Sequence, residues 1–177
     1  MGKLDGKVAL ITGAARGQGR SHAVRLAEEG ADIIAIDICD RIESANHTMG
    51  TEEDLRETAK MVEELDRRIV TAKADVRDRA ALEEAVSSGV SELGRLDIVS
   101  VNAGIASTSQ VLDLDDRTWQ DVIDVNLTGA WHTAVAAAPH IIAGGRGGSI
   151  TFTSSAMGVT AVQNLGHYTS AKHGVLG

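Results

Sequence analysis

The stretch VALITGAARGQG, residues 8–19, decides the fold. Val8–Thr12 is a run of aliphatic and small side chains, the composition of a strand buried on both faces, and Gly13 ends it. Residues 17–30 then read as a helix closed by a C-terminal glycine. Glycines at 13, 17 and 19 let the chain turn tightly. They also allow backbone N–H groups to approach a pyrophosphate at the helix N-terminus. Arg16 and Gln18 lie in the same loop and join the glycines as candidate cofactor contacts.

Outward from this turn, short aliphatic runs alternate with longer amphipathic stretches. Strands are expected at residues 31–38 (ADIIAIDI), 69–74, 97–103 (DIVSVNA) and 147–155 (GGSITFTSS). Helices are expected at 51–68, 79–93 and 119–143, and another from Tyr168 onward. Thr51 with Asp54 three residues later forms a variant capping box, and Leu55, Ala59, Val62 and Leu65 follow at helical spacing. Pro139 should kink the 119–143 helix or end it beforehand. Residues 39–50 (CDRIESANHTMG) have no periodicity and form a loop longer than a plain βα connection needs. Strand and helix in this alternation specify an α/β fold, a Rossmann-like doubly wound parallel sheet.

At 177 residues the chain fits one dinucleotide-binding domain, residues 1–177. Aromatics make up only 2% of it, so its layers must pack through small aliphatic side chains. A formal net charge of −8 with no basic stripe argues against a nucleic-acid partner. No apolar run is long enough to span a bilayer, and no signal peptide is visible, so a cytoplasmic location is expected. Cys39 is the only cysteine, which excludes an intrachain disulfide. Six scattered histidines give no zinc spacing, and no metal is expected. His167, beside Tyr168, is the histidine singled out for substrate contact.

Asp37 ends the second strand, 24 residues after Gly13, with Ile38 beside it. A carboxylate there can accept hydrogen bonds from both ribose hydroxyls of an adenosine, and it would repel a 2′-phosphate. NAD is therefore expected over NADP, with Arg16 and Arg41 as nearby cations that act against this preference. An S-adenosylmethionine-dependent methyltransferase shares these features, so the two readings separate only at the far end of the sheet.

There, Ser154 and Ser155 close the fifth strand, and Tyr168 and Lys172 stand four residues apart, on one helix face. A free phenol titrates near pH 10, and reaching the phenolate near neutrality takes roughly 4 kcal/mol of differential stabilisation. A desolvated lysine and a positive nicotinamide ring can supply it. Ser155 can hold a substrate oxygen. Together these residues make a proton-transfer device beside a hydride carrier.

Five ordered motifs resemble the short-chain dehydrogenase/reductase family: TGAARGQG, Asn102-Ala103-Gly104, Asn126, Ser155 and the YTSAK pentapeptide. The resemblance implies Tyr168 as general acid/base and Lys172 as the ribose contact that activates it. It implies Ser155 as the substrate-positioning group and Asn126 as the holder of a relay water. Asp75 and Val76 would flank the adenine, and Asn102, Ala103 and Gly104 would line the cofactor. On the residues alone, Asn126 can instead bond a neighbouring carbonyl, and Asp75 can cap the helix beginning at Arg79. DICDR, the long loop and HYTSAKHG further resemble an actinobacterial carveol dehydrogenase subgroup associated with the redox peptide mycofactocin. That subgroup implies NAD held beneath an inserted loop, here residues 39–50.

The implied partner is a small secondary alcohol or its ketone. The family also implies a homotetramer built on the helix that carries Tyr168. Against the family pattern the chain is expected to be truncated after strand five and the start of the following helix, leaving that strand's edge open. Two readings follow, an NAD-dependent alcohol dehydrogenase or a non-catalytic NAD-binding fragment.

Overall fold

The computed structural model describes residues 2–177. Its sheet is parallel throughout, with strands β1 (Val8–Thr12), β2 (Asp32–Asp37), β3 (Ile69–Lys73), β4 (Ile98–Val101) and β5 (Ser149–Phe152) in the order β3-β2-β1-β4-β5. β1 is central, and all five of its residues are buried, as its composition requires. Side chains alternate between two core layers. Ala9, Ile11, Ile33 and Ala35 face α1 (Gly17–Glu28) and α2 (Glu52–Glu63). Leu10, Ile34, Ile36 and Val99 belong to the opposite layer, with α3 (Arg79–Leu93), α4 (Asp116–Ile123) and α5 (Gly129–Gly144). The order changes direction between β1 and β4, which opens a crevice at their carboxyl ends.

Local chemistry sets the element ends. The Thr51–Asp54 capping box starts α2, and Asp78 and Asp115 cap α3 and α4. α2 stops at Glu63, five residues before the sequence pattern suggests, because Asp66 adopts a left-handed conformation and Leu65 is left exposed. The 119–143 stretch is also different. It divides into α4, a wide π turn over Asp124–Thr128, and α5, which continues without a break through Pro139. The irregularity therefore falls before the proline, in a turn that places Asn126 inside the protein. β5 is shorter than expected, so Ser154 and Ser155 lie beyond it, and Ser155 caps a 3₁₀ turn over Ala156–Gly158. The last helix, α6 (Gly166–Leu176), begins two residues before Tyr168. β5 pairs with β4 and is an edge of the sheet, with Ser149, Thr151 and Phe152 exposed. Among the described residues no helix is long and apolar enough to cross a membrane.

At the amino edge of the sheet, Asp97 joins β1 to β4. Its carboxylate accepts the Val8 N–H at 3.0 Å and a forked pair from Arg95 at 2.7 and 2.6 Å, with Lys7 at 3.6 Å. Burial alone would raise this carboxyl, but Arg95, the Val8 N–H and the Lys7 charge outweigh it and hold it below the ordinary carboxylate range. A depressed carboxyl stabilises the fold above its unfolded value, near pH 4, and loses that contribution as pH falls through the lower folded value. Asp97→Ala should cost about 2–3 kcal/mol in urea unfolding at pH 7. The difference from wild type should shrink below pH 4; a gap that stays constant with pH would contradict this role.

Candidate active site

The crevice between β1 and β4 deepens into a cavity of about 490 Å³. Its floor is the turn after β1. Gly13 has φ +70°, and a Cβ on Gly19 would stand 1.9 Å from the Gly13 carbonyl oxygen, so α1 can approach the turn only with glycine there. No side chain caps the start of α1. Its first N–H groups are thus available to an anion beside Gln18 and Arg16, both in the cavity wall. Gly17 and Gly19 do not line the cavity themselves; they shape the turn.

Thr12 and Asn102 hold the two sides of the crevice together. The Thr12 hydroxyl accepts the N–H groups of Asn102 at 3.1 Å and Ala103 at 3.2 Å. The Asn102 side-chain amide donates to the Thr12 carbonyl at 3.0 Å and reaches the Gly13 carbonyl at 3.4 Å. The sequence motif marks Asn102 as a cofactor contact, but not this structural duty or its partner Thr12.

Asp37 is buried at the end of β2. One carboxylate oxygen accepts the Ala15 N–H and the other the Cys39 N–H, each at 2.9 Å. The carboxylate is thereby fixed at the cavity wall beside Ile38. Burial and the Asp37 charge push the Cys39 thiol up to about 11, which disfavours its thiolate. Residues 39–50 cross over this end of the cavity. A Cβ on Gly50 would meet the Ala15 Cβ at 2.8 Å and an Asp37 oxygen at 3.3 Å, so the loop closes directly on the carboxylate. Arg16 donates to the Thr48 carbonyl on the same loop. Arg41 is exposed and is not part of this cavity's wall.

Asp75 and Val76 form the wall beyond β3. Asp75 does not cap α3, which is the work of Asp78; it accepts the Arg77 N–H at 2.9 Å and pairs with the Arg77 guanidinium at 2.7 Å. Arg77 also pairs with Asp121 of α4 at 2.7 Å.

The opposite end of the cavity gathers Asn126, Ser155, Tyr168 and Lys172 with Ala103 and Gly104. Lys172 is buried; its ammonium donates to the Thr153 carbonyl at 2.8 Å and lies 5.6 Å from the Tyr168 ring centre. Burial lowers the Lys172 pKa from its ordinary value. The Ser155 oxygen accepts the Met157 N–H at 3.2 Å, leaving its own O–H to donate elsewhere. Asn126 donates to the Ile105 carbonyl at 2.8 Å and the Val122 carbonyl at 2.9 Å. Its Oδ1 is buried with no hydrogen-bond partner among the described residues. His167 departs from expectation: it is fully buried against Ser107 and outside the cavity wall, so it is no substrate contact. Sequence reasoning also passed over His47, Thr48 and Met49, which line the cavity from the loop, and Ile105 and Ala106 after β4.

The sequence model of the short chain dehydrogenase family matches residues 7–177, and the chain belongs to this family. That membership removes the methyltransferase alternative. The chain is 55% identical over 178 residues to (-)-trans-carveol dehydrogenase of Rhodococcus erythropolis, covering 100% of this chain and 64% of that protein. Carveol dehydrogenase of Mycobacterium avium, solved with NAD, superposes with a TM-score of 0.97 at 60% identity, over 99% of this chain and 64% of that one. A short chain dehydrogenase of Mycobacterium paratuberculosis bound to NAD gives 0.96 at 51% identity, over 98% and 65%. The chain therefore spans slightly less than two thirds of the length of these relatives.

If Asp37 reads the ribose hydroxyls, Asp37→Ala should weaken NAD about 10- to 100-fold, the scale of lost hydrogen bonds to a charged acceptor. NADP should lose less affinity than NAD, because the carboxylate that repels its 2′-phosphate is gone. Titration calorimetry with both cofactors checks this, and equal losses for the two would remove the assignment.

Proposed function

We propose that this protein is an NAD-dependent dehydrogenase that interconverts a secondary alcohol and its ketone. The observation that carries the reading is the meeting of Tyr168, Lys172, Ser155 and Asn126 in one cavity with the glycine turn and Asp37. Bound NAD supplies the hydride acceptor, and the residues of the chain handle position and proton. The α1 N-terminus takes the pyrophosphate, and Asp37 takes the adenosine ribose, favouring NAD over NADP. The NAD-bound relatives support this cofactor.

The Ser155 hydroxyl donates to the substrate oxygen and holds it beside the Tyr168 phenol. Tyr168 then takes the hydroxyl proton as the carbon–hydrogen bond breaks, and the alcohol carbon becomes a carbonyl carbon. The Lys172 ammonium, held by the Thr153 carbonyl, stands 5.6 Å from the Tyr168 ring centre and has further N–H donors for the nicotinamide ribose. A water at Asn126 Oδ1 would link Lys172 to solvent for proton return.

For the substrate we propose a carveol-like cyclic terpene alcohol, supported by the named activity of the Rhodococcus relative. Ile105, Ala106 and Val125 give the cavity an apolar side suited to such a ring. Tyr168→Phe should lower kcat about 10²- to 10⁴-fold, the range of general acid/base contributions, with NAD affinity within threefold. NADH absorbance during carveol oxidation and calorimetry with NAD provide the two readings. Undiminished kcat in this variant would overturn the assignment of Tyr168.

A further inference from the structure

The start of α6 carries the proposed acid/base, yet little local chemistry fixes it. Leu165 at the N-cap contributes no side-chain cap, and Asn164 before it has φ +66°. Two ties come instead from the segment after β4. The Ser109 N–H donates to the Asn164 carbonyl at 3.0 Å, and Ser107 Oγ meets His167 Nε2 at 2.7 Å. Ser107 and His167 are both buried. Each is one residue from the cavity wall, Ser107 next to Ala106 and His167 next to Tyr168.

The histidine is an awkward choice for packing alone. Burial lowers the His167 pKa, which favours the neutral ring with one N–H. One ring nitrogen meets Ser107, while Nδ1 is buried with no hydrogen-bond partner among the described residues. An apolar ring would fill the same space without that unsatisfied atom. The bond to Ser107 is what the imidazole adds. The segment it reaches is itself fixed, since the Ile105 carbonyl accepts from Asn126 and the Ala106 N–H reaches His47 of the covering loop at 3.4 Å.

We propose that Ser107 and His167 are a positioning pair: their buried hydrogen bond sets the register of the first turn of α6, and so the aim of the Tyr168 phenol, against the Ala106 wall of the cavity. The inference rests on the reading of Tyr168 as the acid/base. His167 touches neither cofactor nor substrate and acts through its neighbour.

Tyr168 is the only tyrosine in the 177-residue chain, so tyrosine labelled with ¹³C at Cζ gives one resonance that reports the phenol alone. In the NAD-loaded protein, wild type should show a single sharp line. Ser107→Ala and His167→Phe should broaden it at least threefold or split it. His167→Gln, whose side-chain amide reaches near the Nε2 position, should restore the single line. In turnover of a secondary alcohol, Ser107→Ala and His167→Phe should lose kcat tenfold or more with KM and NAD affinity within twofold, and His167→Gln should recover most of it. Coincident lines in all four proteins, or unchanged kcat in Ser107→Ala, would show that the pair only packs. A wild type that binds NAD but oxidises no secondary alcohol would instead remove the functional reading, and the line shapes would still decide the pair.

Discussion

The site depends on how the diverging ends of β1 and β4 are held together. At a change of strand order two neighbouring strands send their chains to opposite faces, and their last backbone groups lose sheet partners. Here the Thr12 hydroxyl takes two of those N–H groups, and the Asn102 amide takes the Thr12 carbonyl. An apolar side chain at either position would leave buried polar groups unpaired, at about 1–3 kcal/mol each. The Gly13 turn, the mouth of the cavity and the path of residues 102–106 all follow from this junction.

The loop over the cavity shows which contacts have the magnitude to hold it. Glu43 and Arg117 form an ion pair at 2.7 Å, but both are about two-thirds exposed, so solvent screens it and it contributes little. Ile42 and Ala45 are 4% and 6% exposed, inserted into the core layer with Ile105, Val122 and Val125. Burying an isoleucine is worth about 2–3 kcal/mol, so the apolar anchors dominate. Ser44, hydrogen-bonded to Asp121, then links the loop to the Arg77–Asp75 pair at the cavity wall. A loop anchored this way moves away from the cavity only when Ile42 and Ala45 leave the core layer.

At the other end, α6 has no sequence strong enough to stand as a helix by itself. It is eleven residues long, too short to persist without packing. Ala171 and Lys172 are buried, and Gly174 lies so close to Leu127 that a Cβ would stand 2.9 Å from it. The π turn that brings Leu127 to this contact also buries Asn126. One irregular turn thus serves both the packing of α6 and the polar wall of the cavity.

The sequence by itself determined the parallel fold, the glycine turn, the carboxylate at Asp37 and the pairing of Tyr168 with Lys172. Each is a short-range pattern: a buried aliphatic run, a turn that needs glycine, an i to i+4 spacing. It also brought Thr51 and Asp54 together as a cap, since those partners are three residues apart. Only the tertiary structure decided that the irregular turn lies at Asp124–Thr128 and not at Pro139, that residues 39–50 close on Asp37, and that His167 belongs to Ser107. Those outcomes join residues far apart in the chain, 60 in the case of Ser107 and His167. Contacts at that separation leave no periodicity to read. They are set by which buried polar groups find partners once the layers have packed, and that is a property of the assembled fold.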